Sequence, residues 1–400
     1  MPDVSGSCER QSIHGRKSNR SSECLPKKTN GQIRRMGPIR PLVEDDIPQV
    51  ADLNWEVLHG RDGPSPPELR SYLQELFFHN PWLDQALPSL VYENHKGKIV
   101  GFLGVVPRRM LVRGRPIQVA FGSNFVIHPD SRSTLAALHL VRAFLSGKQD
   151  LSMSDSANDL TRKLLTGVGF HTALLYNIYW SRPLRPSLYA MYAMSRLKTT
   201  ALSQSLRYAC RLSCSVVDLI AAKVARSSFG QGGPTISEEE LDIDTLLACL
   251  SEFSSGRALR PEYDRYSLNW LLGFMGEMRA RGQLRKVALR NKERKLIGWY
   301  VYYIRRGGIG EVVQIGANSY SRSIVLDHLF YDARRHGAIA LHGRLEAQLE
   351  QDLSDKNCFF YRRGDWMLIH SHEPELLQII QSGDAFLTRL EGEWCLGFGG

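Results

Sequence analysis

Ser123-Asn124-Phe125-Val126-Ile127-His128-Pro129-Asp130-Ser131-Arg132-Ser133-Thr134-Leu135-Ala136-Ala137 holds a strand, a break and the start of a helix. Phe125, Val126 and Ile127 supply the bulk that strands favour. Pro129 lacks a ladder donor, and Asp130-Ser131 has the chemistry of a turn. Leu135, Leu138, Val141 and Leu145 then recur at intervals of three and four, the spacing of a helix face. A strand, a short polar turn and a helix leave several backbone amides aimed at one spot. With the helix dipole behind them, they form an anion site suited to a pyrophosphate.

The stretch resembles the GNAT superfamily of CoA-dependent N-acyltransferases, whose signature is a strand, then V-x-P-x-x-R-x-x-G-x-G/A, then a helix. Ile127 to Ala137 stands in that register. Leu135 replaces the first glycine, and Ala137 falls where Gly or Ala is accepted. A second stretch, from Asn158 to Phe170, resembles the family's N-x-x-A-x-x-L-Y-x-x-x-G-F, with Asn158, Leu164, Gly169 and Phe170 in place. Thr161 replaces the alanine, and Leu165 replaces the tyrosine that in many members protonates the departing thiolate.

The resemblance implies acetyl-CoA or another acyl-CoA as co-substrate, laid along the strand at Val126, Ile127 and His128. Its pyrophosphate would rest on Arg132, Ser133, Thr134, Leu135, Ala136 and Ala137. A protonated amine is not a nucleophile, so a base is required. Asp155 and Asn158, placed after the Leu151–Met153 strand, are the nearest polar candidates, and Tyr176 or Ser154 could replace the missing acid.

Composition narrows the remaining classes. The chain has 400 residues, 43% hydrophobic and 23% charged, which describes a globular protein of two or three domains. Its net charge of +10 looks like a nucleic-acid signal until it is located. Residues 1–35 hold eight basic and three acidic side chains, half of the excess, so no nucleic-acid partner is expected. Residues 1–36 read as a disordered basic tail, without aromatics or the apolar core of a signal peptide. A chain beginning at Met36 should therefore melt within a degree or so of the full one in calorimetry, because the tail has little apolar surface to bury. The seven cysteines form no C-x-x-C, which suits a reduced, cytoplasmic chain. His328, His336 and His342 lack metal-ligand spacing, so no metal is expected, and no apolar run reaches the roughly eighteen residues of a membrane span.

The fold expected is α/β (α+β), two tandem GNAT-like modules, each a mixed central sheet flanked by helices. The first occupies 37–186, a helical connector and linker 187–240, and a more degenerate second module 241–400. Helices are expected over Ile47–Leu58, Leu69–Phe77, 134–146, Ile243–Phe253, Tyr263–Met278 and Glu373–Ile380. Strands are expected at Ile39–Val43, Ser89–Glu93, Ile99–Val106, Leu151–Met153, Thr172–Trp180, Leu284–Arg290, Leu296–Ile304, Glu311–Ile315, Cys358–Tyr361 and Trp366–His370. Ser321-Arg322-Ser323 repeats Ser131-Arg132-Ser133, again after a strand and before an apolar helix. Residues 197–227 read as a basic amphipathic helix, a connector that also leaves peripheral membrane contact open.

The function expected is acyl transfer, acetyl first, to an amine of a small-molecule or cell-envelope acceptor. A FemAB-like aminoacyl transferase and a catalytically silent binding protein of the same fold are the alternatives.

Overall fold

The computed structural model describes residues 38–131, 135–196 and 236–398, the side chains of 195 and 196 excepted. The tail, Arg132–Thr134 and the expected helix 197–227 lie outside the described residues. The first half runs β1 (Ile39–Pro41), α1 (Ile47–His59), α2 (Pro67–Phe78), β2 (Leu90–Glu93), β3 (Ile99–Val112), β4 (Arg115–Ile127), α3 (Ala136–Leu145), β5 (Leu151–Ala157), α4 (Asp159–Gly167), β6 (His171–Thr172), β7 (Ile178–Pro183) and α5 (Pro186–Arg196). The second runs β8 (Ser237–Glu240), α6 (Ile243–Phe253), β9 (Leu259–Pro261), α7 (Arg265–Gly276), β10 (Gln283–Arg290), β11 (Leu296–Ile304), β12 (Ile309–Ala317), α8 (Arg322–Arg335), β13 (Ala340–Arg344), α9 (Glu350–Asp355), β14 (Phe359–Arg362), β15 (Trp366–His370) and α10 (Pro374–Gln381).

The two halves repeat one plan. In the first sheet β2, β3 and β4 are antiparallel neighbours, and β5 returns parallel to β4 after α3. In the second, β10, β11 and β12 are antiparallel, and β13 returns parallel to β12 after α8. A parallel return needs a crossover, and an apolar helix of ten or fourteen residues supplies it.

The last strand of each half then crosses into the other sheet. The orders are β1-β2-β3-β4-β5-β15-β6 and β14-β7-β13-β12-β11-β10-β8, with β9 on the outer end of β3. The stretch expected as one strand, Thr172–Trp180, is instead β6, a 3-10 turn over Leu174–Asn177, and β7. Asn177 explains the break. Its Nδ2 donates to the Ala173 carbonyl at 2.8 Å, and its Oδ1 accepts from the Met367 amide of β15 at 2.6 Å. One side chain thus closes the turn and pins the incoming strand. Trp180 on β7 is fully buried over β13, and a Cβ at Gly343 would lie 2.5 Å from its ring, so only glycine lets the strands meet there. Leu69 and Leu73 of α2 share one core with Leu271 and Met275 of α7 and with Leu396 near the chain end. Among the described residues no helix is long and apolar enough to cross a membrane.

Candidate active site

Strands β4 and β5 pair only from Val119 opposite Leu151 to Phe121 opposite Met153. Beyond that point β4 continues to Ile127 and β5 to Ala157 without pairing, so the sheet opens into a fork. Each wall carries a bulge. On β4, Asn124 and Phe125 together face Leu103 of β3, and Asn124 sits at a φ of 50°. On β5, Asp155 and Ser156 together face Met367 of β15. A fork leaves backbone donors without ladder partners, and buried donors need acceptors.

The segment Thr388–Phe398 supplies one. It starts at β12, where the Arg389 amide donates to the Val313 carbonyl and its guanidinium pairs with Glu311 at 2.5 Å. Glu391 then folds its carboxylate back onto Thr388, accepting from the amide and the hydroxyl at 2.6 Å each. Glu393 enters the fork. Its Oε1 accepts from Ser154 Oγ at 2.8 Å, Ser156 Oγ at 2.7 Å, and the Asp155 and Ser156 amides at 3.2 Å. The Trp394 ring lies between the guanidinium groups of Arg281 and Arg389, 4.0 and 4.1 Å from the ring centre. Tyr72 of α2 donates to the Leu396 carbonyl at 2.6 Å, and Phe398 packs on Tyr72 and His59.

Asp155 organises this entry. Its Oδ2 pairs with Arg344 Nη2 of β13 at 3.1 Å, and its Oδ1 accepts the Trp394 amide at 3.0 Å. A Cβ at residue 392 would overlap the Asp155 carboxylate, which is why Gly392 stands there. Both partners of the ion pair are buried. Burial, and then the neighbouring charge of Asp155, pushes the Glu393 carboxyl up to about 7, although the Ser156 and Ser154 hydroxyls pull the other way. Burial likewise raises Glu391.

The residues expected from sequence fall at the end of β4, the start of α3, inside β5, the cap of α4 and the 3-10 turn before β7. Val126 and Ile127 are buried on the β4 wall, and His128 follows with Nδ1 accepting the Asp130 amide at 3.2 Å. Leu135 caps α3 and is 62% exposed, Ala136 is buried and Ala137 half-buried, while Arg132, Ser133 and Thr134 lie outside the described residues. Asp155 is inside β5 rather than past its end, because the strand runs four residues beyond Met153. Asn158 caps α4, its side chain accepting the Thr161 amide. Tyr176 is buried in the 3-10 turn and its hydroxyl donates to the Ala385 carbonyl at 2.9 Å. Glu393, Arg344 and Trp394 were not anticipated. The signal that could have found Glu393 is Arg389, Glu391 and Glu393 set within the mostly apolar run from Ala385 to Leu396, since charges buried in such a run need hydrogen-bond or ion-pair partners.

An open-forked sheet with a helix start at its mouth defines the class of fold. No protein-family profile and no curated protein matches the sequence. Solved structures do match. A GCN5-related N-acetyltransferase from Anabaena variabilis is 12% identical with a TM-score of 0.53, covering 84% of this chain and 73% of that one. A probable N-acyltransferase from Enterococcus faecalis is 10% identical with a TM-score of 0.55, covering 83% and 72%. The N-myristoyltransferase of Saccharomyces cerevisiae, with bound myristoyl-CoA, is 11% identical with a TM-score of 0.49, covering 83% and 82%. The chain has the GCN5-related N-acetyltransferase fold, in two mixed sheets that fit tandem modules.

Proposed function

We propose that the protein is an N-acyltransferase that moves an acyl group, acetyl first among candidates, from acyl-CoA to an amine of a small-molecule or cell-envelope acceptor in the cytoplasm. The observation that carries this reading is the fork between β4 and β5, bulged at Asn124 and running through Ile127 to the start of α3. An extended arm bearing amides finds unpaired backbone partners along Gly122–Ile127, and a pyrophosphate finds the amides and dipole of the α3 start. The thioester then lies where the strands part, beside Ser154 and Ser156. Either hydroxyl could relay the proton that the attacking nitrogen gives up to the departing thiolate. Asp155 serves in this reading through the groups it holds, Arg344 and the Trp394 amide.

Charge insertion tests the donor site. Ala137→Glu puts a carboxylate beside the pyrophosphate position, and at about 5 Å and a surface dielectric the repulsion is worth roughly a hundredfold in affinity. In the second half, 190 residues on, Ala137 corresponds to Asp327, already a carboxylate, and Leu135 to Val325, which is fully buried, so a charge at Val325 would report on folding instead. Tyr320, 66% exposed in the turn before α8, is the suitable control. Calorimetric titration with acetyl-CoA should lose its signal in Ala137→Glu and keep it in Tyr320→Glu. The reverse pattern would place the donor in the other half.

A further inference from the structure

Resting on that reading, we infer that Glu393 is the group that takes the proton from the incoming amine. The carboxylate stands in the fork at the β5 bulge, just past the last β4–β5 pair. Its two oxygens are not equivalent. Oε1 accepts all four donors from Ser154, Asp155 and Ser156, and among the described residues none donates to Oε2. One oxygen is anchored and the other is left to accept a proton, the division of labour expected of a preorganised base. The anchor is rigid, because the following amide, Trp394, is bonded to Asp155, and Asp155 is ion-paired with Arg344.

The groups around the carboxylate suit the task. Asp155 faces it from β5 with Arg344 behind it on β13, Tyr72 faces it from α2, and Arg281 and Arg389 lie beyond on the two sides of Trp394. Burial and the Asp155 charge bring its titration to about 7, so it is part ionised near neutrality yet basic enough to hold a proton. In the reaction, Glu393 removes one proton from the ammonium and the neutral nitrogen attacks the thioester carbonyl. The C–N bond forms as the C–S bond breaks. The second proton of the nitrogen goes to the departing thiolate, and Glu393 returns the first to solvent.

The test uses Glu393→Gln in the full chain with acetyl-CoA and two probe nucleophiles. Cadaverine is a strong base that arrives protonated, whereas hydroxylamine is already neutral near neutral pH. Thiol release with cadaverine should fall about 10²–10⁴-fold, and with hydroxylamine less than about tenfold, with acetyl-CoA binding unchanged. An equal loss for both nucleophiles, or no loss for cadaverine, overturns the proposal. A second measurement holds even if neither probe is accepted. Infrared difference spectra of the wild-type chain should show a protonated-carboxyl band that disappears with a midpoint near pH 7 and is missing from Glu393→Gln. Absence of that band from the wild type also overturns it. Failure of the acyltransferase reading shows separately, as a wild-type chain that does not bind acetyl-CoA at all.

Discussion

Expressed apart, residues 36–196 and 236–400 should each fail to fold, and only mixing or co-expression should give a cooperative melt. Each half lends the other an interior strand. β15 lies between β5 and β6, and β7 lies between β13 and β14. Taking β15 away uncovers Met367, Leu368 and Ile369, all at or below 2% exposure, and leaves the β5 edge unpaired. At about 1.5–3 kcal/mol for each buried side chain, the loss approaches the 5–15 kcal/mol that a folded domain typically has in total. Removing β7 takes Tyr179 and Trp180 out of the second sheet at a similar cost. Near-UV circular dichroism and differential scanning calorimetry on each half make the comparison. A half that melts cooperatively near the temperature of the full chain would refute the dependence.

The second large effect is expected at Asp155. Asp155→Ala strands the buried Arg344 guanidinium and frees the Trp394 amide, and breaking a buried pair from one side costs about 3–5 kcal/mol. Asp155→Asn keeps the shape and reports on charge. Glu393 is raised from 4.5 to about 7, first by burial and then by Asp155. Its protonated form therefore contributes stability that is fully present below the unfolded value and lost as pH rises through about 7, on the order of 3 kcal/mol in all. Wild-type melting temperature should fall between mildly acidic and mildly alkaline pH. Without the Asp155 charge the Glu393 carboxyl ionises more readily, so the decline should be shallower in Asp155→Asn. Chemical denaturation of the three proteins across that range reads both the offset and the slope. A slope unchanged in Asp155→Asn would mean that Glu393 does not sense Asp155.

Legibility from sequence followed the length of chain over which each feature is encoded. The β4–turn–α3 unit was readable because a run of β-favouring bulk, a proline and a period of three to four follow one another within the stretch from Ser123 to Leu145. The helices 243–253 and 374–381 were readable for the same reason, each carrying one apolar face. The parallel return of the first half could be inferred from element order, since a helix between two strands favours it, whereas β13, which makes the return in the second half, was not expected.

What the sequence by itself determined, then, is most of the longer helices and strands, their order, and the likeness of that order in the two halves; β8, β9, β13 and the break at Leu174–Asn177 were not among them. Aromatic and aliphatic bulk marks Thr172–Trp180 and Trp366–His370 as strand-forming, but nothing local says which sheet each joins. Their exchange was decided by contacts such as Asn177 with Met367, 190 residues apart. The reading of Asp155 as a polar residue after a strand could not see that the strand continues and buries it against Arg344. Glu393 lay outside local reasoning altogether, because its partners Ser154 to Ser156 stand 237 to 239 residues earlier. Secondary structure is written in near-neighbour chemistry, whereas a charge buried in a fork depends on which distant donors the folded chain brings to it. Only the tertiary structure put that carboxylate where the two strands part.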